Sequence, residues 1–257
     1  MDNRLDSLLS CIPAPKEAVD WARIDALALA PTLSQLAQTR RNPAWHGEGD
    51  VLTHTKMVCD SLVGLPAYAA LSLRQRQAVF LAALLHDIGK PSCTRREGGV
   101  LISPNHARVG AALARGILWR TFGLCGESEA QQLRESVCAL IRWHTFLLHA
   151  SEHAAPDHRA IEIASEGDKA TLFTNHLLCL LAEADMRGRI ARDTAQKLEK
   201  ISFYAELSSE AGCLNAPFAF DSDYSRFAYL SGRNIAPAQP LFDDTWGPVV
   251  LLCGLPG

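Results

Sequence analysis

Residues 78–90 read AVFLAALLHDIGK, an unbroken apolar run that ends in a histidine and an aspartate. Eight apolar residues (78–85) are far too few to span a membrane, and they continue the apolar periodicity of a helix over residues 73–85. Neighbouring residues on a regular helix point about 100° apart, so His86 and Asp87 can reach one metal ion only where the helix ends or bends. Gly89 and Pro91 follow at once and permit such an end. The stretch therefore predicts a helix that ends in a metal-capable pair, placed where the core should be.

The rest of the chain is also predicted to be helical. Apolar residues recur at steps of three and four in eight segments, at residues 16–30, 51–63, 73–85, 106–122, 129–148, 158–164, 170–185 and 191–207. Proline residues such as Pro31 are interpreted as breaks between these segments. A Gly-Gly step within residues 94–102 indicates one small hairpin. The expected fold class is therefore all-α, a helical bundle with a short non-helical C-terminal tail.

Composition and charge exclude several classes of protein. The 257 residues are 48% hydrophobic and 21% charged, which is typical of a globular domain and not of a disordered or coiled-coil chain. With a net charge of −3, the chain is not expected to have the broad basic surface of a general nucleic-acid binder. Recognition of a single phosphorylated end remains possible, because one phosphate needs only a few cations. The eight cysteines form no CxxC pair and are predicted to be reduced core residues. With no signal segment and no membrane span, we expect a cytoplasmic protein without a membrane partner.

Six polar residues interrupt the apolar faces of the predicted helices. They are four histidines and two aspartates: His54, His86, His106, His144, Asp87 and Asp185. Each alone has a structural alternative, as a hydrogen-bonded core histidine, a helix cap or an ion-pair partner. Burying all six without compensation would cost several kcal/mol per unpaired group, and a shared divalent cation removes that cost. Mixed nitrogen and oxygen ligands favour Mn, Fe, Co, Ni or Zn over Ca.

The order of these residues resembles a known enzyme family. His54, the HDIGK segment and Asp185 are similar to the H…HD…D signature of HD-domain metal phosphohydrolases. Three longer segments look like motifs of the HD domain of bacterial CCA-adding enzymes: PAWHGEGDVLTHTKMV (43–58), SPNHARVGAAL (103–113) and LLAEADMRGR (180–189). The resemblance covers about residues 43–192 and implies an HD-domain helical bundle with a metal site in its core.

The C-terminal part of the chain extends the resemblance. Residues 247–257 (GPVVLLCGLPG) are either an apolar strand with a loose tail or a strand that enters a phosphate-binding loop. The second alternative resembles HD-Pnk proteins, bacterial RNA end-healing enzymes that join an HD phosphohydrolase to a P-loop polynucleotide kinase. That resemblance implies an N-terminal helical segment (1–42), the HD phosphohydrolase domain (43–212), a linker (213–246) and the start of a truncated kinase domain (247–257). Without the loop lysine, we expect no kinase activity from this polypeptide.

The resemblance also implies which residues bind metal. The first ion would have four ligands: His54, His86, Asp87 and Asp185. His106 and His144 occupy positions compatible with a second ion, with Asp87 bridging the two. We favour two ions over one, and the alternative is that His106 and His144 contact the phosphate or the leaving group.

Asp87, Lys90 and His46 are predicted to be the catalytic residues. A bound divalent ion lowers the pKa of water, so we expect hydroxide to attack phosphorus in line. Lys90 would neutralise the phosphate oxygens, unless it is only a lysine favoured by a helix dipole. His46 would protonate the leaving group, or else it stacks against Trp45 in a loop. Four arginines are candidates for RNA phosphate contacts or for a solvated face: Arg95, Arg96, Arg187 and Arg189.

The reaction implied by the resemblance is removal of a 2′,3′-cyclic, 2′- or 3′-phosphate from RNA ends. The same site could act on free nucleotides, as a 5′-nucleotidase, a dNTP hydrolase or a cyclic-nucleotide phosphodiesterase. A di-iron oxygenase on the same scaffold and a non-catalytic domain that binds RNA ends for the kinase are further alternatives. The intact ligand set favours a hydrolase over a pure binding module.

Overall fold

The computed structural model describes residues 4–42, 47–126 and 129–241. These residues form thirteen α-helices: α1 (Arg4–Leu9), α2 (Trp21–Asp25), α3 (Ala30–Gln38), α4 (Val51–Gly64), α5 (Pro66–Ala70), α6 (Leu73–Leu85), α7 (Lys90–Cys93), α8 (His106–Gly116), α9 (Glu129–Trp143), α10 (Pro156–Ala164), α11 (Asn175–Arg187), α12 (Thr194–Glu210) and α13 (Asp223–Leu230). A π-helical turn (Ile117–Thr121) follows α8, and 3₁₀ turns follow α9 and α10 (Phe146–Glu152 and Ser165–Asp168). The expected all-α fold is confirmed.

Helix α6 is the centre of the bundle. Its nine residues from Gln77 to Leu85 are all buried, and the helix packs against α4, α9 and α11. The helix begins with a capping box, in which the Ser72 hydroxyl accepts from the Gln75 backbone and the Gln75 side chain accepts from the Ser72 backbone. The helix expected over residues 73–85 is confirmed with the same bounds, and its apolar run is buried on all sides.

The predicted hairpin is present between α7 and α8. Strand β1 (Arg95–Glu97) pairs antiparallel with β2 (Val100–Ile102). The two residues between the strands are Gly98 and Gly99, with φ of +57° and +82°. Positive φ at both positions is what a tight two-residue hairpin turn requires, and glycine adopts it without strain.

The N-terminal prediction was wrong in its boundaries. Residues 16–30 were expected to form one helix, but only α2 is helical within them and a second helix, α3, begins at Ala30. Pro31 was interpreted as a break, whereas it lies in the first turn of α3. A proline is tolerated there because the first backbone N–H groups of a helix have no partner within it. Helix α11 also begins five residues later than predicted, at the Thr174 cap.

Residues 4–218 and 219–241 belong to separate compact units. The second unit falls within the predicted linker, yet it contains α13, which begins at a Ser222 cap whose hydroxyl accepts from the Ser225 backbone. The predicted domain boundaries remain predictions, and the strand and loop expected at 247–257 lie outside the described residues.

The seven described cysteines are free, and five of them are buried. No helix in the described part of the chain has the length and apolar character needed to cross a membrane.

Candidate metal centre

The six predicted ligands lie together where five helices of the bundle begin or end. His54 is in the first turns of α4, and His86 and Asp87 directly follow α6. The other three lie at comparable places: His106 is the first residue of α8, His144 follows α9, and Asp185 lies in the last turn of α11. Five of the six are buried, and the side chain of His106 is 17% exposed. The structure therefore brings together all six residues chosen from sequence.

Local sequence explains these positions. The Asp50 carboxylate caps α4 by accepting from the Thr53 backbone N–H at 2.8 Å, which fixes the turn that carries His54. Helix α6 ends at Leu85, and the chain turns before α7 begins at Lys90. His86 and Asp87 therefore lie at a helix end, as a shared metal ion requires. Gly89 then lies against α8, where an added Cβ would be 2.2 Å from the carbonyl oxygen of His106. This close approach places His106 beside the HD pair.

Asp87 is the centre of the cluster. Its Oδ2 lies 3.3 Å from Nε2 of His86 and 2.7 Å from Nζ of Lys90. Its Oδ1 lies 3.4 Å from Nε2 of His106 on the other side. Because the two oxygens face different histidines, the carboxylate has the geometry of a group that two ions can share.

The candidate ligand atoms form three overlapping groups, each with its atoms within 4.8 Å of one another. The groups are His54, His86 and Asp87; His86, His144 and Asp185; and Asp87, His106 and His144. The imidazole rings follow one another at centroid separations of 5.3 to 5.4 Å. His54 Nε2 also lies 3.0 Å from Oδ1 of Asp185. The cluster is thus continuous from α4 and α11 to α8.

All four histidines are held by backbone carbonyls in the same way. Nδ1 lies 2.7 to 3.1 Å from a carbonyl oxygen in each case: that of Gly188 for His54, Ala83 for His86, Ser103 for His106 and Ile141 for His144. A carbonyl can only accept, so Nδ1 carries the proton in the neutral ring and Nε2 keeps its lone pair. This is the orientation that metal-binding histidines show in proteins.

The donor set fits a divalent transition metal. Nε2 of His86 and Oδ1 of Asp87 are buried, and neither has a hydrogen-bond partner among the described residues. A buried polar atom without a partner is costly, and a cation in contact with both atoms removes that cost. Imidazole nitrogen together with carboxylate oxygen suits transition metals better than calcium.

The electrostatics of the cluster also favour a cation. Burial opposes ionisation of Asp87, but His86 and Lys90 hold the pKa of its carboxyl well below the usual range. Burial likewise works to lower the pKa of His86, yet the Asp87 carboxylate raises it overall. Burial, with His86 and His106 nearby, lowers the pKa of His144 to about 3. His144 is therefore neutral near pH 7 and able to bind a metal through Nε2.

A cavity of about 250 Å³ opens beside the cluster. Its cationic lining consists of Arg40, Arg41 and Lys90, and His106 lies at its edge with the β2 residues of the hairpin. Lys90 therefore faces both Asp87 and the cavity. A larger groove of about 590 Å³ runs along α8 and α9, but none of the six candidate ligands lines it.

The remaining predicted residues lie elsewhere. Arg95 contacts Glu97 at 2.9 Å, Arg96 donates to the Gly99 carbonyl, and neither lines the cavity. Arg187 pairs with Glu183 at 2.7 Å, and Arg189 pairs with Asp193 at 3.4 Å. A role of these four arginines in RNA binding stays a prediction. His46, the predicted acid, lies outside the described residues.

Two charged residues near the cluster were not predicted. The Arg41 side chain is buried, and its Nη1 lies 3.3 Å from Oε1 of Glu48 and 3.9 Å from Oδ2 of Asp87. Oε1 of Glu48 is also 3.3 Å from Nδ1 of His54. Charged residues in loops are usually solvated, so the sequence offered little reason to place Arg41 and Glu48 in the site. The one indication was that Glu48 lies within the motif-like segment 43–58.

Comparison with known proteins agrees with this geometry. The family model described as "HD domain" matches residues 51–185, more than half of the chain. The "Multifunctional CCA protein" of Halorhodospira halophila is 33% identical over 153 residues, which are 59% of this chain and 31% of that protein. The chain thus matches about a third of the relative's length, and no solved structure gave a significant match. The chain belongs to the HD domain family, a superfamily of metal-dependent hydrolases whose domains bind divalent metals.

Proposed function

We propose that this protein removes 2′,3′-cyclic, 2′- or 3′-phosphates from RNA ends. The observation that carries the proposal is the cluster of four histidines and two aspartates at the edge of a small cation-lined cavity. The buried Nε2 and carboxylate atoms suit metal ions, and the lining cations suit an anionic ligand. A phosphate ester is the ligand that needs both.

We assign the roles of the residues from their contacts. The cluster would hold one or two divalent ions of Mn, Ni, Co, Fe or Zn. A bound ion would supply Lewis acidity and lower the pKa of water. Asp87 faces both halves of the cluster and would hold them together. Lys90, whose Nζ is 2.7 Å from Asp87 and faces the cavity, would neutralise phosphate oxygens as charge develops. His46 stays a candidate for protonation of the leaving oxygen.

The RNA end is supported by the likeness to a protein named for CCA, and the size of the cavity is compatible with it. About 250 Å³ is below the range of typical drug-sized pockets, and it suits one terminal nucleotide rather than a strand. The proposed partner activity is a P-loop polynucleotide kinase domain, for which residues 247–257 would be the start. That part of the proposal rests on the sequence resemblance alone.

The same cavity supports a second candidate function, hydrolysis of free nucleotides. A site that holds one nucleotide does not require the rest of a strand. Under this alternative the protein is a 5′-nucleotidase, a dNTP hydrolase or a cyclic-nucleotide phosphodiesterase.

One assay separates the two functions. Phosphate release would be measured from a short RNA with a 2′,3′-cyclic phosphate, from 5′-nucleotides and from p-nitrophenyl phosphate, with Mn, Ni and Co supplied separately. We expect release mainly from the RNA end, with the Asp87→Ala protein as the inactive control. Release mainly from mononucleotides would replace the proposal with the second function. Metal binding without any hydrolysis would contradict both.

A further inference from the structure

The inference concerns Arg41 and Glu48, the two buried charges that the metal ligands do not explain. Residues 40–41 and 49–50 run antiparallel. The Arg41 N–H donates to the Gly49 carbonyl at 2.9 Å, and the backbones of Arg40 and Asp50 form an isolated antiparallel β-bridge. Asp50 is also the cap of α4, so this pairing is anchored to the helix that carries His54. The backbone of Arg41 is therefore fixed relative to the metal cluster.

The Arg41 side chain is directed into the site rather than to solvent. The residue is 7% exposed, and its Nη1 lies 3.9 Å from Asp87 Oδ2, while the residue lines the cavity beside Lys90. A buried guanidinium is expensive to desolvate, and a purely structural position would be filled more cheaply by an apolar residue. Its planar fork of N–H groups matches two oxygens of one phosphate, which the point charge of a lysine does not.

Glu48 holds this arginine together with a metal ligand. Its side chain is fully buried, and the same Oε1 lies 3.3 Å from Nη1 of Arg41 and 3.3 Å from Nδ1 of His54. Its Oε2 accepts from the Ile190 backbone N–H at 3.2 Å, just beyond α11. One carboxylate thus connects Arg41, a ligand on α4 and the segment that follows Asp185.

We propose that Arg41 binds the substrate phosphate with its guanidinium fork, and that Glu48 is a positioning residue that aligns Arg41 with His54. This inference rests on the proposed phosphohydrolase function. It assigns the phosphate to the side of Asp87 that faces Arg41 and Lys90. It also couples phosphate binding to metal binding, because one carboxylate orients a residue for each.

The test measures inorganic phosphate binding to the metal-loaded full chain by calorimetry, together with metal content and KM. Arg41→Ala should weaken phosphate binding by about tenfold to a hundredfold, the effect of losing a charge-assisted contact, while the metal content stays at the wild-type value. Arg41→Lys should restore only part of the affinity, and added guanidinium should partly rescue Arg41→Ala. Glu48→Gln should weaken phosphate binding and metal affinity together.

The control is a second Arg–Glu pair, Arg115 with Glu135, whose Nη2 and Oε2 are 2.5 Å apart. Both residues line the groove along α8 and α9, which none of the six candidate ligands lines. Arg115→Ala should leave phosphate affinity and metal content unchanged. If Arg41→Ala fails to fold because the buried Glu48 carboxylate loses its cationic partner, the double variant Arg41→Gln and Glu48→Gln keeps the pair neutral. It should bind phosphate more weakly than Glu48→Gln alone, at the metal affinity of Glu48→Gln.

Three results would overturn the inference: no phosphate binding to the wild type, unchanged phosphate affinity in Arg41→Ala, or a loss of metal parallel to the loss of phosphate affinity in that variant. The proposed function fails differently, through a wild-type protein that binds phosphate but releases none from RNA ends. The two failures are therefore distinguishable.

Discussion

Substitution of Gly89 by alanine tests whether the contact between α7 and α8 builds the site. A Cβ at this position would lie 2.2 Å from the His106 carbonyl oxygen and 2.7 Å from the Gly110 backbone nitrogen. Real Cβ contacts are essentially never shorter than 3.0 Å, so the two segments must separate by about 0.8 Å or more. The neighbours are backbone atoms and cannot rotate away. Overpacking of this kind costs about 1–3 kcal/mol of unfolding free energy.

The same displacement should reduce activity more than stability. His106 Nε2 lies 3.4 Å from Asp87 Oδ1, and a movement of α8 by about 1 Å would misplace a ligand by enough to lower turnover by about a hundredfold. Urea unfolding followed by circular dichroism would give the stability, and metal analysis with phosphate release would report on the site.

Gly116→Ala is the matched control for Gly89→Ala. Gly116 is the last residue of α8, nothing lies within 4 Å of its added Cβ, and its φ of −60° is ordinary for a helix. Removing a glycine from a helix should leave activity unchanged and stabilise the protein by up to about 1 kcal/mol. If Gly89→Ala matched the wild type in stability, metal content and turnover, the close approach would not be what places His106.

Three further substitutions test the assignments within the cluster. Asp87→Ala should abolish hydrolysis and release metal while the helical content, measured by circular dichroism, stays largely intact, and full activity would contradict the assignment. His144→Gln should lower the metal content, measured by mass spectrometry, from two ions per chain to one, and a wild-type protein that saturates with one ion would refute the two-ion interpretation. Lys90→Ala should lower turnover at least about tenfold at unchanged metal content, because a charge-assisted contact contributes about 1.5–3 kcal/mol. Parallel loss of turnover and metal would make Lys90 structural.

The sequence was sufficient for the central helix and for the cluster because both depend on local patterns. The apolar run before His86 predicts a buried helix, and the Gly89 and Pro91 that follow predict its end, where the structure has it. Polar residues on an apolar face are conspicuous wherever the helical period is clear. His54, His144 and Asp185 were recognised by that contrast.

Features that depend on contacts between distant residues could not be predicted in this way. The charges of Arg41 and Glu48 lie between regular helices, where a charged residue is normally solvated. In the structure Arg41 contacts Glu48 and Asp87, while His54 and Ile190 approach Glu48. The N-terminal boundaries failed for a local reason instead. Pro31 is compatible both with a break and with the first turn of a helix, and periodicity alone does not choose between these alternatives.

The position of the ligands at helix ends explains how an apolar bundle accommodates so many polar groups. The last turn of a helix leaves backbone carbonyls without partners inside the helix. Two of these carbonyls, those of Ala83 in α6 and Ile141 in α9, accept from Nδ1 of His86 and His144. One hydrogen bond thus satisfies the helix terminus and fixes the ring with Nε2 toward the cluster. Because this support comes from the backbone, the rings should keep their orientation when the metal is removed, so the protein presents a site that is already formed when an ion arrives.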